Sequence, residues 1–366
     1  MMNPNLLPSR VIRQFVISSM ALLSAFVLLF APAVAQTVST DGENWQVPLT
    51  SYGHPDLQGN WTNATLTPLE RPDNLGPALT PEQVVTLESG HEDSVALRSE
   101  PSDSNRPLPP GGDDPVCIDG ATTCYDEVWR EPGDRVAMVL GEPRSSLVTS
   151  PADGRVPALT AATLNLIQEL DLERRGFGPY DHPELRPLAE RCIVSFTSSA
   201  GPPMIPNRRL YNNNYTIVQT ADHVMIMAEM AHDARIIRLN NSEHMSGMNK
   251  WMGDSVGRWE GDTLVVETRG FNPQQSFRGA SENLIVTERF SRVSISEILY
   301  RFTVEDPTVF SQSFTGELIF NARPTRESMY EYACHEGNYA LAGILAGARE
   351  LERQTAAQDK VTEAAR

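Results

Sequence analysis

The fold is decided by residues 284–304, which read LIVTERFSRVSISEILYRFTV. Successive side chains of a β-strand point to opposite faces, so every second residue shares a face. One such set in the second half of the stretch is wholly apolar: Ile298, Tyr300, Phe302 and Val304. Residues 294–296, between the two halves, have the length of a hairpin connection. The stretch therefore predicts two antiparallel strands that bury one face.

The first half of the stretch carries charge on its predicted inner face. Glu288 and Arg292 share this face with the apolar residues Leu284, Val286 and Phe290. A buried carboxylate needs a hydrogen-bonding or ionic partner. Arg292, on the same face of the same strand, is the predicted partner of Glu288.

Outward from this hairpin, the second half of the chain is a succession of strand-like runs. They cover residues 215–220, 224–230, 234–239, 263–268, 284–293, 297–304, 311–320 and 327–333. Most connections are turn-sized, which excludes the helical crossovers that a parallel sheet requires. A long antiparallel sheet removes its exposed edges by closing. The expected fold class is mainly β: an antiparallel β-barrel with a long irregular N-terminal excursion and a few flanking helices.

The chain divides into four predicted segments. Residues 1–35 have a basic start, an apolar core and the small-residue site Ala33-x-Ala35, which together predict a signal peptide. An uncleaved anchor is the alternative, but the apolar core is short for a span of about 20 residues. Residues 36–190 are a Pro- and Gly-rich wrapping region with helices, 191–338 the barrel core, and 339–366 a C-terminal helix and tail. We expect a periplasmic or secreted protein with no transmembrane segment after cleavage.

The charge of the chain excludes one class of function. Its 366 residues include 47 acidic and 30 basic ones, a formal net charge of −17, without a basic block. Phosphate contacts need clustered Lys and Arg, so nucleic-acid binding is excluded. No G-x-G-x-x-G or P-loop motif supports nucleotide binding, and no G-x-S-x-G motif supports a serine nucleophile.

Four cysteines, an even number, suit an exported protein in which disulfides persist. They are Cys117, Cys124, Cys192 and Cys334. More than one connectivity is possible. Cys117 and Cys124 bracket a short loop and are predicted to pair locally, which leaves Cys192 and Cys334 for a long-range bridge. A zinc site is the rival interpretation, but the chain has no C-x-x-C pair to favour it.

The densest polar cluster of the sequence lies within residues 229–254. Its candidate residues are His232 and Arg235 for catalysis, and Glu229, His244, Trp251 and Asp254 for ligand binding. His232 continues the apolar phase of the run 224–230 just past its end, which predicts an imidazole at the barrel mouth. Such a cluster could bind a divalent metal or transfer protons, but its spacing matches no standard metal motif and no cofactor can be assigned. The alternative is a polar hairpin end with a capping histidine.

Two further segments contain candidate residues. His335 and Glu336 follow Cys334, so a disulfide would fix an imidazole beside a carboxylate, an arrangement that suits base catalysis. Tyr332, in the same segment, and Tyr211, beside a run of asparagines, are candidate ligand-binding residues. The alternatives are structural: a hydrogen bond from His335 to a backbone carbonyl, and a turn at the asparagine run.

Three long stretches resemble a widespread family of uncharacterised exported bacterial proteins. They are residues 55–61 (PDLQGNW), 252–268 (MGDSVGRWEGDTLVVET) and 330–339 (YEYACHEGNY). The resemblance covers nearly the whole chain after the predicted signal peptide, and it implies no catalytic residue.

A second, shorter resemblance is to the lipocalins. Gly59-x-Trp61 is similar to their opening strand, and a predicted meander followed by a helix is similar to their architecture. This resemblance implies a lipocalin-like β-barrel with an apolar cavity. The long insertion between the motif and the meander departs from the lipocalin pattern.

Three functions are compatible with these features. The first is the binding of a small apolar or amphipathic organic molecule near His232, Arg235 and Tyr332, favoured by the methionine-rich run 224–230 because methionine adapts to irregular ligands. The second is a lyase, isomerase or hydrolase with His232 or His335 as general base and Arg235 as oxyanion partner, in one variant assisted by a metal. The third is an envelope interaction module, which predicts a solid barrel and an exposed apolar patch. Binding is the preferred hypothesis.

Overall fold

The computed structural model describes residues 45–99, 131–174, 176–195, 201–208, 212–240, 243–275, 277–280, 282–324 and 329–364. The strands within these ranges are β1 (Gly59–Thr62), β2 (Met138–Val139), β3 (Glu142–Pro143), β4 (Val148–Ser150), β5 (Asn214–Gln219), β6 (His223–Ala228), β7 (Ala234–Arg238), β8 (Asp254–Glu260), β9 (Thr263–Arg269), β10 (Ile285–Arg292), β11 (Glu297–Glu305) and β12 (Phe314–Ala322). The helices are α1 (Pro81–Arg98), α2 (Ala161–Arg174) and α3 (Tyr339–Ala364).

Nine of the described strands form a closed β-barrel. Strands β5 to β12 follow one another around the sheet, and β1 pairs with β5 on one side and with β12 on the other. Strand β4 adds to β12 at a β-bulge, and β2 with β3 forms a separate small hairpin. The predicted class, a mainly β protein with a barrel, is confirmed. Strands β1 and β4 also show that the chain before residue 190 contributes to the sheet.

One pair of strands departs from the antiparallel pattern. Strands β7 and β8 run parallel and pair only through Ile237 with Ser255 and Arg238 with Val256. A parallel connection needs about a dozen residues or more, and residues 239–253 supply that length; no helix lies in the described part of this stretch, residues 239–240 and 243–253. The fully antiparallel meander that was expected from the turn-sized connections is therefore not what the structure has at this position.

The strand runs predicted from sequence match the structure except at two places. Strand β8 was not predicted, because in the sequence DSVGRWE the two apolar residues are separated by Gly257 and Arg258. The run predicted over 327–333 is not a strand in its described part, residues 329–333. Strand β12 already pairs with β11, β1 and β4, so it offers no free edge for another strand.

Side chains fill the interior of the barrel. The apolar set expected from the phase of β11 is fully buried, and Tyr300 lies at its centre. The ring of Tyr300 lies 5.0 Å from that of Phe290, 5.8 Å from that of Phe302 and 5.1 Å from that of Phe320, between centroids. Such contacts give the density of a packed protein core.

Trp61 and Arg292 pack at one end of the barrel. The indole Nε1 of Trp61 donates a hydrogen bond to the carbonyl of Leu57 (3.0 Å). The guanidinium of Arg292 lies 5.4 Å from the ring centre of Trp61 and donates to the carbonyls of Asp56 (2.6 Å) and Ile295 (2.8 Å). This cation–π contact ties the first strand to the β10–β11 turn.

The buried carboxylate has a different partner from the one predicted. Glu288 is fully buried, as expected, but its ion pair is with Arg235 of β7 rather than with Arg292. Two guanidinium nitrogens of Arg235 contact the two carboxylate oxygens, one of them at 3.0 Å, and the Tyr300 hydroxyl donates to the same carboxylate (2.9 Å). Because a strand rises about 3.3 Å per residue, Arg292 lies roughly 13 Å further along β10 and is out of reach.

The helices lie outside the barrel. Helix α1 begins as the sequence predicts: the Thr80 side chain accepts from the Gln83 amide (3.3 Å), and the Gln83 side chain accepts from the Thr80 amide (2.8 Å). Helix α3 was expected to pack on the barrel, yet its described side chains are all exposed or half-buried. The side chain of Leu351, for example, is 66% exposed. None of the helices described has the length and apolar composition needed to cross a membrane.

Candidate functional site: a cleft at the barrel seam

The short pairing of β7 with β8 leaves a cleft in the barrel wall. Strand β8 begins only at Asp254, so the first residues of β7 face the preceding segment 250–253 across a gap. The gap has a volume of about 330 Å³. We name it the seam cleft. Its lining consists of Ile193, Val194, His232, Asp233, Ala234, Arg235, Ile236, Lys250, Trp251, Met252 and Gly253.

A strained turn presents His232 at this cleft. The residues that share a face on β6 are buried as predicted, but the strand ends at Ala228 and a single 3₁₀ turn, Met230–His232, follows it. Ala231 and His232 have φ values of +58° and +52°, a left-handed conformation that is unfavourable for side chains with a Cβ. The turn breaks the alternation of the strand, and His232 is exposed rather than directed into the barrel.

Asp233 lies half-buried beside His232. Its Oδ2 accepts the backbone N–H of Ser195 (2.7 Å). Burial raises the pKa of Asp233 above its ordinary value, and the hydrogen bond from Ser195 only partly opposes this shift. Ser195 is itself fixed, because its hydroxyl accepts a hydrogen bond from the side-chain amide of Asn212. The side-chain oxygen of Asn212 in turn accepts the backbone N–H of Met230 (2.8 Å). The carboxyl group of Asp233 is therefore fixed in position, and its pKa is raised.

A disulfide holds the opposite wall of the cleft. Cys192 and Cys334 are bonded, with their Cα atoms 5.7 Å apart, so the predicted long-range bridge is confirmed. The side-chain amide of Asn338 adds a hydrogen bond to the carbonyl of Glu190 (2.8 Å). Ile193 and Val194 follow Cys192 directly and line the cleft, so the bridge sets their position. The proposed local pair, Cys117 with Cys124, lies outside the described residues.

Asp254 directly follows the segment 250–253, which forms a third side of the seam cleft, and its carboxylate pairs with two cationic side chains. Its carboxylate accepts two hydrogen bonds from Arg238 (2.7 and 3.0 Å), one from Lys250 (2.7 Å) and one from the Met245 amide (3.0 Å). These donors, Arg238 above all, hold the pKa of Asp254 well below its ordinary value. Lys250 is thereby fixed in place where the segment 250–253 lines the cleft.

His244 bridges two carboxylates behind this wall. Its Nδ1 lies 3.3 Å from Asp254 and its Nε2 lies 3.1 Å from Glu267. Partial burial raises the pKa of Glu267, but hydrogen bonds from Arg269 and His244 outweigh burial and lower the pKa overall. Both ring nitrogens of His244 are thus engaged with carboxylates that also bind Arg238, Lys250 and Arg269, and His244 does not line the cleft.

The other predicted site residues lie elsewhere. The Arg235 side chain is inside the barrel with Glu288, although the residue borders the cleft. Glu229 accepts from the side chain of Asn214 (3.0 Å). His335 and Glu336 are exposed and are absent from the cleft lining, and Tyr332 is half-buried. Tyr211 lies outside the described residues. Of the predicted residues, the structure brings three to the cleft lining: His232, Trp251 and Arg235, the last with its side chain inside the barrel.

Several residues that line the seam cleft could not have been identified as site residues from the sequence. Ile193 and Val194 are unremarkable apolar residues until the disulfide and the barrel seam are known. Ile236 is an outward-facing strand residue, and half of its surface is exposed (50%). Only Asp233 could have been singled out, as a carboxylate next to His232. Within the described part of the chain, no group of three or more His, Cys, Asp and Glu side chains is arranged to hold a metal ion.

A larger cavity, of about 1140 Å³, lies between α1 and the outer face of the barrel. It is rich in carboxylates, but the best placed of these already have partners. Glu88 accepts from Arg135 (2.8 Å) and from the Val136 amide (3.1 Å), and Glu131 contacts Asn214. We prefer the seam cleft, because it combines apolar walls with ionisable groups on a fixed backbone.

Comparison of the chain with protein-family models, with curated proteins and with solved structures gave no match. The fold and the site therefore define the class of this protein in structural terms alone. It is a closed, side-chain-filled β-barrel with a lateral cleft where two parallel strands separate.

Proposed function

We propose that this protein binds a small amphipathic organic molecule in the seam cleft. The proposal rests on the composition of the cleft lining, which has an apolar part and an ionisable part. Ile193, Val194 and Ile236 offer apolar surface, whereas His232, Asp233 and Lys250 offer ionisable groups. A ligand with an apolar body and a polar end matches both parts, and binding sites in proteins commonly combine these two kinds of lining.

The filled interior argues for the wall of the barrel rather than its centre. A lipocalin-like protein would hold an apolar ligand inside the barrel, where this chain packs Tyr300, Phe302 and Phe320. Displacing such side chains would leave cavities that cost several kcal/mol each. The lateral cleft requires no such rearrangement.

We further propose that binding takes place in the periplasm or outside the cell. A bridge such as Cys192–Cys334 persists in oxidising compartments and is rare in the cytosol. The predicted signal peptide supports the same location, and no part of the binding proposal depends on it.

The binding proposal is tested with the amphipathic dye 1-anilinonaphthalene-8-sulfonate, whose fluorescence rises in apolar sites. We expect saturable binding to the folded protein, displacement by dodecanoate, and an affinity at least tenfold lower in Ile236→Asp because a carboxylate would replace apolar surface. Ile295→Asp is the matched control, since Ile295 is 71% exposed in the β10–β11 turn. Equal affinity in both variants would show that the dye does not bind in the cleft.

A second candidate function is proton transfer on a molecule bound in the same cleft, by a lyase, isomerase or hydrolase. The strained backbone at Ala231 and His232 favours it, because such strain is concentrated at functional sites. Asp233, with its raised pKa, and the exposed His232 would be the acid and base groups. A panel of p-nitrophenyl esters and enolisable ketones tests this candidate by absorbance and by solvent deuterium incorporation. Turnover lost in Asp233→Asn but kept in Ile295→Asp supports it, and no turnover, or turnover equal in both variants, overturns it for these substrates.

A further inference from the structure

The hydrogen-bond register of β7 determines which backbone groups face the seam cleft. The amide of Ala228 donates to the carbonyl of Asp233 (2.9 Å), and the amide of Leu239 donates to that of Asp222 (2.8 Å). In an antiparallel pair, residues bonded to the partner strand alternate with residues whose backbone groups point away from it. Since Arg235 lies opposite Ile226 in the same register, the odd-numbered residues of β7 bond to β6. The N–H and C=O groups of Ala234, Ile236 and Arg238 therefore point to the other side.

On that other side, β8 reaches only the C-terminal part of β7. Arg238 pairs with Val256 of β8, and the parallel pairing of Ile237 with Ser255 in this register uses the C=O of Ile236 as the acceptor for the Ser255 amide. Within the described ranges, the N–H and C=O of Ala234 and the N–H of Ile236 form no backbone hydrogen bond on this side. Both residues are exposed. The seam cleft thus contains a short open strand edge, formed by the N–H and C=O of Ala234 and, about 7 Å further along β7, the N–H of Ile236.

This edge discriminates between kinds of ligand. An apolar chain such as that of dodecanoate would remove water from the N–H and C=O of Ala234 and the N–H of Ile236 without replacing the lost hydrogen bonds, which lowers its affinity relative to a ligand that makes them. A peptide in extended conformation carries the complementary groups at the same spacing. Its side chains would also find apolar surface at Ile193, Ile236 and Trp251.

We propose that the occupant of the seam cleft is an extended peptide segment that adds to the free edge of β7. This inference rests on the proposed binding function and narrows its ligand class. The contact needs about three residues of the ligand, because the open edge runs from Ala234 to Ile236. Apolar side chains in alternation with polar ones suit a strand that has one face on the cleft wall and one in water.

The test uses a pool of capped hexapeptides in which valine or leucine alternates with threonine, and the same pool with N-methylated backbone amides. Binding is measured with the full protein by affinity-selection mass spectrometry. We expect the unmodified pool to contain ligands and the N-methylated pool to lose at least tenfold in binding. Amide hydrogen exchange at Ile236 should slow when a peptide binds, whereas the dye should leave this amide unprotected.

Two variants separate the backbone from the side chain. Ile236→Ala keeps the N–H that faces the cleft, and Ile236→Pro removes it without removing a bond to β6. The proline variant should bind peptide at least tenfold more weakly than the alanine variant. The N-methylated pool, used with the unaltered protein, gives the same information if the proline variant does not fold.

The outcomes distinguish the two proposals. Equal binding of both pools, or no peptide binding while the dye still binds in a manner sensitive to Ile236→Asp, overturns the peptide inference and leaves the binding proposal intact. If neither dye nor peptide binding responds to Ile236→Asp, both proposals are wrong.

Discussion

At the scale of single residues, the barrel interior is organised around an ion pair that water does not reach. Arg235 is 3% exposed and Glu288 is fully buried, and the Tyr300 hydroxyl joins them. Tyr300 in turn accepts the amide of Met204 (2.9 Å), which fixes the segment 201–206 over the pair. Burial raises the pKa of Tyr300 well above its ordinary value, so the phenol stays protonated and remains a donor. The network therefore links β7, β10 and β11 through one carboxylate.

Removing one partner of this pair should destabilise the barrel strongly. Arg235→Met leaves Glu288 buried without its cation, and we expect a loss of about 3–5 kcal/mol in the free energy of unfolding. The double variant Arg235→Met with Glu288→Leu should recover most of this loss, because no charge is left buried. Urea unfolding checks both. Arg289→Met is the control: its ion pair with Glu260 is on the surface, and its loss should cost less than about 1 kcal/mol.

A second residue-scale prediction concerns acid stability and Asp254. Its pKa in the folded protein is lower than the unfolded value of about 3.9, so the stabilisation it provides is complete above that value. The stabilisation is lost as the pH falls through the folded pKa. We expect Asp254→Asn to be less stable at pH 7 and to lose less of its remaining stability between pH 5 and pH 2. Parallel acid profiles in the two proteins would contradict this assignment.

The sequence predicted parts of this residue-scale structure and not others. Burial of Glu288 follows from the phase of its strand, and so does the need for a partner. The identity of the partner does not follow, because Arg235 reaches Glu288 across the barrel from a strand that is distant in sequence. His232 was predicted at an opening, but its exposure depends on a turn with two left-handed residues, which the sequence MAH does not signal.

At the scale of elements, the parallel seam between β7 and β8 is the feature that sequence periodicity could not predict. Gly257 allows the two strands to approach: a Cβ at this position would lie 2.8 Å from Ile237 and 3.0 Å from Leu239. In the sequence, this glycine interrupts the strand pattern and conceals β8. The strand phases of β6, β10 and β11 were predicted correctly because each has one mainly apolar face, which in β10 also contains Glu288 and Arg292.

The disulfide gives a prediction at this same scale. Cys334→Ser frees the segment that contains Ile193 and Val194, so dye binding in the cleft should weaken at least fivefold. The free energy of unfolding should fall by about 2–4 kcal/mol, because the bridge closes a long loop in the unfolded chain. Cys192→Ser and the double variant should give the same two values as Cys334→Ser. A larger loss in the double variant would mean that the two cysteines act independently.

At the scale of the whole molecule, the barrel and helix α3 are only loosely connected. Arg349 donates to the carbonyl of Tyr180 (3.1 Å) and contacts Asp181 (3.3 Å), and both pairs are exposed. Apolar side chains of α3, among them Tyr339 and Leu351, remain in solvent. The interaction-module hypothesis predicts a solid barrel and an exposed apolar patch, and the filled interior agrees with the first of these two features.

Truncation at Glu350 tests how independent the barrel is of this helix. The shortened chain keeps Cys334 and Asn338, and with them the disulfide and the hydrogen bond to Glu190. We expect its Tm to lie within about 3 °C of that of the full chain, since for a protein of this size such a change corresponds to about 2 kcal/mol. A much larger fall would show that α3 stabilises the barrel through contacts beyond those at Arg349.

The ring closes through its first and last strands, and this has a consequence for how the protein folds. Strand β1 reaches β12 only after nearly the whole sheet has been synthesised, so the closing contact, Trp61 with Ala322, has a very long sequence separation. Contacts of this kind slow folding, because chain entropy is lost before they form. A growing chain that lacks β12 would leave both β1 and β11 as open edges and would be prone to pair with other chains. Closure of the barrel and protection of its open edges therefore both depend on the last strand of the sheet, β12.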